Sequence, residues 1–292
     1  VRHIDKTEIF PPSSFLKWLR DNDAVLQAKI TNSSITGGEI WTFFRDNKSV
    51  YDELKEALVA YQGHICCYCG QRIFADHHTA IEHLFPKTIY KYLVLHFCNL
   101  LASCKGGCQL KVHIVKHGET LQQIADLHGV GIEHLEDVYV HVDEVKLFRT
   151  KYDIENLSAG DRIVIFPVLP DDEQHCDTKK DKYEIDIYPL QTDCQDHFSY
   201  NPTDGEIRVT SKNQLTVKRL GLNNNRYINQ LRKKVIDETF IIQENLIKDF
   251  GHSPSDFNTN KMQIINNLND ASKNGGKLEP FVFVKIWRLS KL

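Results

Sequence analysis

"HICCYCGQRI", residues 64–73, places three cysteines within four positions, directly ahead of a glycine. Cys66 and Cys69 have the x-x spacing of a metal clip, and Gly70 permits the tight turn such a clip needs. The stretch reads as a turn between two short strands, the arrangement of a zinc knuckle. A structural zinc wants four ligands, commonly thiolates, arranged as two close pairs. Two second pairs are open: Cys104 with Cys108, close in sequence, or Cys104 with Cys176, far apart. Cys67, between two ligands, is expected to face the interior or solvent. Cys98 and Cys194 read as small core residues.

Bulk properties limit the alternatives. The chain has 292 residues, long enough for one large domain or two modest ones. Hydrophobic content of 41% and charged content of 26% are ordinary for a globular protein. No apolar run approaches the roughly 20 residues of a membrane span, and no signal-peptide core opens the sequence. Crowded cysteines suit a metal site in a reducing compartment better than a disulfide framework, so the expected location is cytoplasmic. The net charge of −3 does not announce a nucleic-acid binder, so any such surface must be local. Lys218, Arg219, Arg226, Arg232, Lys233 and Lys234 form the densest basic run, either a solvated helix face or a phosphate-contacting one.

Before the knuckle, a Pro11-Pro12 turn leads to a helix with Phe15, Leu16, Trp18 and Leu19. A second helix is expected with Ser49 as cap, Tyr51, Leu54, Leu58 and Tyr61 on one face, and Gly63 as its stop. After the knuckle comes "AIEHLFPK" (80–87), an acid beside a histidine, then "FCNLLASCKGGC" (97–108). Residues 112–168 have a different texture. They read as a strand, a turn at Gly118, a helix through Leu121, Ile124, Ala125 and Leu127, a break at Gly129, a second short helix, a less regular piece, and a strand closed by Pro167. The polar stretch 169–182 carries "HCDTKK". A hairpin-like part turning at Pro202 and Gly205 follows, then one or two helices over 215–250 broken near Gly221. Residues 252–276 are Asn-rich and polar, and "FVFVKIW" (281–287) is apolar enough to be a buried strand or helix.

The order of a two-cysteine turn, Glu82-His83, Asn99 and a further cysteine resembles the HNH, or ββα-metal, nucleases. There a strand carries an acid–His pair, a loop carries Asn, and a helix carries the last ligand. Glu82 stands where Asp is more usual, and Asp177 where the family has Asn or His. A closer resemblance is to the HNH subunits of Septu-type antiphage systems, the PtuB family, and relatives encoded beside retrons. It lies in "CCYCG" (66–70), "IEHLFPK" (81–87), "NLLASC" (99–104), "HCDTKK" (175–180), motifs across 188–207, and "LGLN" (220–223). It covers nearly all of the chain outside 105–174.

The resemblance implies an α+β fold: an HNH nuclease domain over 1–111 and 169–292, its ββα-metal core braced by a zinc knuckle and flanked by helical N- and C-terminal parts. It favours Cys66, Cys69, Cys104 and Cys176 as the Zn²⁺ ligands. It implies His83 as general base, Asn99 as the brace that aims it, and Glu82 with Asp177 as ligands of a catalytic Mg²⁺ or Mn²⁺. It also implies nucleic acid as substrate (DNA foremost, RNA otherwise), with Lys87, Lys179, Lys180 and Arg226 as contacts. The family implies an ABC/SMC-type ATPase partner of the PtuA kind and, in the retron-associated case, a reverse transcriptase with its non-coding RNA. The chemistry suits these residues: a histidine neutral near pH 7 can take a proton from water, and carboxylates can hold a hard divalent ion against phosphate.

The insert 112–168 separately resembles a LysM module, whose order is βααβ. LysM modules typically bind N-acetylglucosamine polymers; here docking toward a partner or nucleic acid, or a plain folded spacer, fits better. His64, His77, His78 and His175 read as supporting residues rather than ligands. His96, His113, His117, His128 and His134 have no partner at ligand spacing. The other overall reading is a zinc-stabilised, non-catalytic binding subunit whose insert carries recognition.

Overall fold

The computed structural model describes residues 1–7, 9–107, 111–128, 139–142, 145–148, 158–160, 162–165, 169–270 and 276–291. The chain divides into two compact units, one of residues 1–105 with 175–292 and one of residues 106–174. No helix among the described residues is long and apolar enough to cross a membrane.

The first unit opens with helices α1 (Ser13–Asp21), α2 (Asp23–Thr31), α3 (Gly37–Arg45) and α4 (Lys48–Tyr61). Phe15, Trp18, Trp41 and Phe44 are buried and their rings meet at 5.0–5.3 Å, mostly edge to face, which locks α1 against α3. Thr36 and Glu39 close a reciprocal capping box at the start of α3. Helix α4 is capped by Asn47, whose side chain accepts from the Val50 amide, and not by Ser49, which lies inside the first turn.

Strand β1 (Thr79–His83) pairs antiparallel with β2 (Leu100–Cys104), His83 facing Leu100 and Thr79 facing Cys104. Both strands are almost wholly buried, so their alternation is muted. The knuckle between α4 and β1 is tighter than a strand pair: a single bridge, Ile65 to Arg72, holds it.

The second unit has strands β3 (Lys111–Ile114), β4 (Tyr139–Val142), β5 (Val145–Phe148) and β6 (Arg162–Ile165), with helix α5 (Leu121–His128) after β3. They form one antiparallel sheet in the order β3-β6-β4-β5. The β4–β5 hairpin lies where sequence alone suggested a less regular piece. The expected break at Gly129, the second helix and the closing Pro167 fall outside the described residues.

Back in the first unit, α6 (Cys176–Lys180) is a single turn and a half packed on β2. Two backbone bonds from its first turn fix it, Cys176 N–H to the Leu220 carbonyl and Thr178 N–H to the Lys105 carbonyl, both at 2.8 Å. Then come α7 (Gln214–Arg219), α8 (Arg226–Phe250), α9 (Pro254–Asn269) and α10 (Val282–Leu289). The break between α7 and α8 includes Gly221, as expected. The Asn-rich 252–276 stretch contains α9, which starts on Pro254 and buries Leu268 against Leu246 and Leu278. The apolar tail forms the helix α10, burying Val282, Phe283, Val284 and Leu289.

Two glycines set close approaches that matter for the site. A side chain at Gly70 would lie 2.2 Å from the Phe283 ring, at a φ of +82° that already favours glycine. One at Gly37 would lie 2.0 Å from the Lys87 carbonyl oxygen, so only glycine lets the start of α3 rest on the loop after β1.

Candidate metal centre and the adjoining acid–histidine pocket

Cys66 and Cys69 come from the knuckle, Cys104 from the end of β2 and Cys176 from the start of α6, and their sulfurs all lie within 4.8 Å of one another. The Cys66–Cys176 and Cys69–Cys104 separations are 3.8 and 3.7 Å. A tetrahedral Zn²⁺ with bonds of about 2.3 Å has sulfur–sulfur edges of about 3.8 Å, so the four thiols already have the size of the coordination shell. All four are buried. The Cys104 amide donates to Cys66 Sγ at 3.3 Å, a bond that favours thiolate over thiol. Burial pushes the Cys66 thiol up, but hydrogen bonds from Cys104 and Cys176 outweigh it and hold it well below the usual thiol range. Cys176 adopts a left-handed φ of +52°, uncommon for a residue with a side chain, and its place in the cluster gives that conformation a reason.

Among the described residues this is the one group of three or more metal-ligating side chains so arranged. It contains the Cys104–Cys176 pair; Cys108 lies outside the described residues. Cys194 is buried as expected and Cys67 takes the interior of its two expected placements, whereas Cys98 is exposed and is not a core residue. His175, next to Cys176, is buried with neither ring nitrogen hydrogen-bonded.

The knuckle reaches the neighbouring pocket through one side chain. Tyr68, fully buried between the cysteines, donates its hydroxyl to Glu82 Oε1 at 3.0 Å. The same oxygen accepts from Lys180 Nζ at 2.7 Å, and Lys180 also donates to the His83 carbonyl at 2.9 Å. Lys180 is 1% exposed, so its charge serves Glu82 inside the protein and is not presented to a nucleic acid, which corrects its expected role. Burial pushes the Glu82 carboxyl up, yet the Lys180 ammonium and hydrogen bonds from Asp177 and Lys180 hold it below its usual range. Burial, the hydrogen bond with Glu82 and the Glu82 charge together push Asp177 up to about 9, against the pull of Lys87 and Lys180. At neutral pH the two carboxyls thus share one proton, and their single negative charge is matched by one ammonium.

His83 ends β1 beside Glu82. Its Nε2 lies 3.0 Å from the Val94 carbonyl, and its ring stands edge-on to Trp41 at 4.4 Å. A carbonyl only accepts, so Nε2 carries the proton and Nδ1 is left as the basic nitrogen. Burial and the Lys87 charge push His83 down to about 4 despite the opposing Glu82, so the ring is neutral at pH 7.

Asn99 staples the loop after β1. Its Oδ1 accepts from the Phe85 amide at 2.7 Å, and its Nδ2 donates to the Phe85 and Leu93 carbonyls, both at 3.1 Å. This is the bracing geometry expected of it, with no polar atom left over for chemistry. Glu82, His83 and Asp177, with Pro86, Lys87, Asp181 and Lys182, line one cavity of about 230 Å³.

The remaining basic candidates separate. Lys87 lines the cavity, and Lys179 sits half-buried on α6. Arg226, at the start of α8, lines a different hollow with Asp204 and Glu206. Arg232 is not on a surface at all: it is 1% exposed, donates to Asn229 Oδ1 at 2.9 Å, and lies within electrostatic reach of Cys69 and Cys176. Lys233 and Lys234 each meet a carboxylate one turn on, Asp237 and Glu238, the signature of a solvated helix face. Tyr68, Trp41 and the Val94 carbonyl escape the sequence reading. Of these only Tyr68, enclosed by the knuckle motif, carried a signal.

Compared with known proteins, the chain matches no protein-family model and no curated protein sequence.

Proposed function

We propose that this chain is a metal-dependent phosphodiesterase of the ββα-metal class, with the four-cysteine cluster as a structural zinc site. Within that class it reads as an HNH endonuclease acting on nucleic acid, the effector subunit of an antiphage complex with an ABC/SMC-type ATPase. The observation that carries the reading is one cavity lined by Glu82 and His83 from β1 and by Asp177 from α6, a helix that packs on β2.

The residues divide the work of hydrolysis. His83, neutral and with Nε2–H tied to a carbonyl, offers Nδ1 to take the proton of a water that attacks phosphorus. Asn99 and Trp41 are positioning residues that hold the loop and the ring. Lys180 fixes one oxygen of Glu82, which leaves the other to act with Asp177 toward the cavity. A proton shared between the buried Glu82 and the half-buried Asp177 marks a place a cation can take, so the pair fits Mg²⁺ or Mn²⁺. Such an ion, when held by Glu82 and Asp177, would supply positive charge to the phosphate and to the departing 3′ oxygen.

A second reading has one observation in its favour. The Lys180 ammonium already neutralises Glu82, which is the balance expected of a non-catalytic binding subunit that keeps the fold without the ion. Incubating zinc-loaded protein and its His83→Ala variant with DNA and RNA, with and without Mg²⁺ or Mn²⁺, separates the two. Ion-dependent cleavage that His83→Ala abolishes supports the nuclease. Absence of cleavage even in complex with the ATPase, with biological protection intact in His83→Ala but lost on deleting 112–168, supports the binding subunit.

A further inference from the structure

The rim of the cavity carries groups that phosphate hydrolysis does not require. Pro86, Lys87 and Thr88 form one wall and Asp181 and Lys182 another. Following these segments in the chain, Tyr92 and Tyr183 are 64% and 48% exposed. The two segments are joined across the rim by the Tyr90 hydroxyl, which donates to the Glu184 carboxylate. The Tyr92 ring stands 6.3 Å from that of Tyr90. Tyr183 has the Arg219 guanidinium 5.6 Å from its ring centre, and Arg219 is itself tethered to the Glu184 carbonyl. The two exposed rings therefore sit on a hydrogen-bonded frame rather than on free loop ends.

Exposed, pre-positioned aromatic rings interleaved with cations form the surface that unstacked bases seek, since every base has a face to stack and every phosphate a charge to neutralise. Bases in a duplex already stack on one another and cannot use it. Glu184, next to Tyr183 in the chain, is engaged by Tyr90 and so opposes a phosphate chain less. We propose that this rim is a stacking platform for an unpaired nucleic-acid strand, making the substrate single-stranded or a single-stranded loop. The assignment of the cavity as the cutting site rests on the nuclease reading; the binding of an unpaired strand beside it does not.

The test uses the full chain, zinc-loaded, in buffer without added Mg²⁺ or Mn²⁺. A fluorescent, unstructured oligonucleotide of about 16 nucleotides and its duplex form are titrated and followed by anisotropy. The single strand is expected to bind at least about tenfold more tightly than the duplex. Tyr183→Ala and Tyr92→Ala should each weaken it by roughly tenfold or more, while Tyr183→Phe keeps it. Unchanged melting temperature and zinc content confirm that these surface variants fold. Equal affinity for strand and duplex, or indifference to both alanine variants, overturns the proposal, as does loss of a protein partner from the variants with strand binding intact. Tyr183-dependent strand binding without cleavage under any divalent ion upholds the platform while the nuclease reading fails. Cleavage with an unchanged strand-to-duplex preference in Tyr183→Ala does the reverse.

Discussion

Replacing Cys176 with serine tests the zinc assignment at its most informative ligand. Cys176 sits against Cys66 although the two are 110 positions apart. A tie closing a loop of that length removes enough freedom from the unfolded chain to be worth about 5 kcal/mol, taking a covalent cross-link as the guide. For a body of this size each kcal/mol moves the melting temperature by roughly 2–4 °C, so the loss should be roughly 10–20 °C. Where zinc leaves the unfolded chain, the same stabilisation appears instead as coordination free energy, which replaces the loop figure and is not summed with it. The assay combines zinc content by elemental analysis with thermal unfolding, each before and after a strong chelator. Wild type should hold one zinc per chain and fall in stability when stripped; Cys176→Ser should behave as stripped protein from the start and gain nothing from added zinc. Full zinc content and an unchanged melting curve in Cys176→Ser would overturn the assignment, and a loss of zinc in Cys108→Ser instead would move the fourth ligand there.

Three further outcomes follow from the pocket. Lys180→Met leaves Glu82 buried without its ammonium and should cost about 3–5 kcal/mol in chemical denaturation, whereas a loss under about 1 kcal/mol would mean the pair is solvated. Asn99→Ala strands the Phe85 amide and should cost about 1–3 kcal/mol while leaving zinc content unchanged, with cleavage reduced in proportion to the disordered loop. His83 is held down to about 4 in the folded chain, against about 6.5 when unfolded. Between those values the unfolded chain binds the proton and the folded chain does not, so this contribution is present above pH 6.5 and is lost as pH falls toward 4, about 3 kcal/mol in all. The difference in stability between wild type and His83→Gln across pH 4–7 isolates it from the opposing slope of Asp177; a flat difference would contradict the burial of His83.

How much of this could be read from residues differs by the kind of cause. The knuckle was legible because two cysteines at fixed spacing before a glycine suit few roles besides a metal clip. Asn99 was legible only through the order of motifs, and its three hydrogen bonds then supply the physical reason for an asparagine, with both donor and acceptor, at that point. Lys180 was misread because a lysine after "HCDTK" looks like surface charge; only the fold brings it under Glu82, 98 positions earlier in sequence. Arg232 failed in the same way, since a basic run along α8 has one residue facing inward and pattern alone did not say which. Asn47 displaced Ser49 as cap because both are good caps and boundaries depend on packing upstream. The helix at 254–269 was hidden by asparagines, whose weak helix propensity is offset by Leu268 and neighbouring apolar contacts.

Whether Glu82, His83 and Asp177 form one hydrolytic site is tested most directly by phosphodiester cleavage. Single-stranded and duplex nucleic acid are incubated at neutral pH, with and without Mg²⁺ or Mn²⁺, using wild type, His83→Ala and Asp177→Asn that retain zinc. Wild type should cleave only when the divalent ion is present, and both variants should lose that activity with folding and zinc content unchanged. Cleavage that persists in His83→Ala, or that proceeds at full rate without a divalent ion, would contradict a single site built from these three residues.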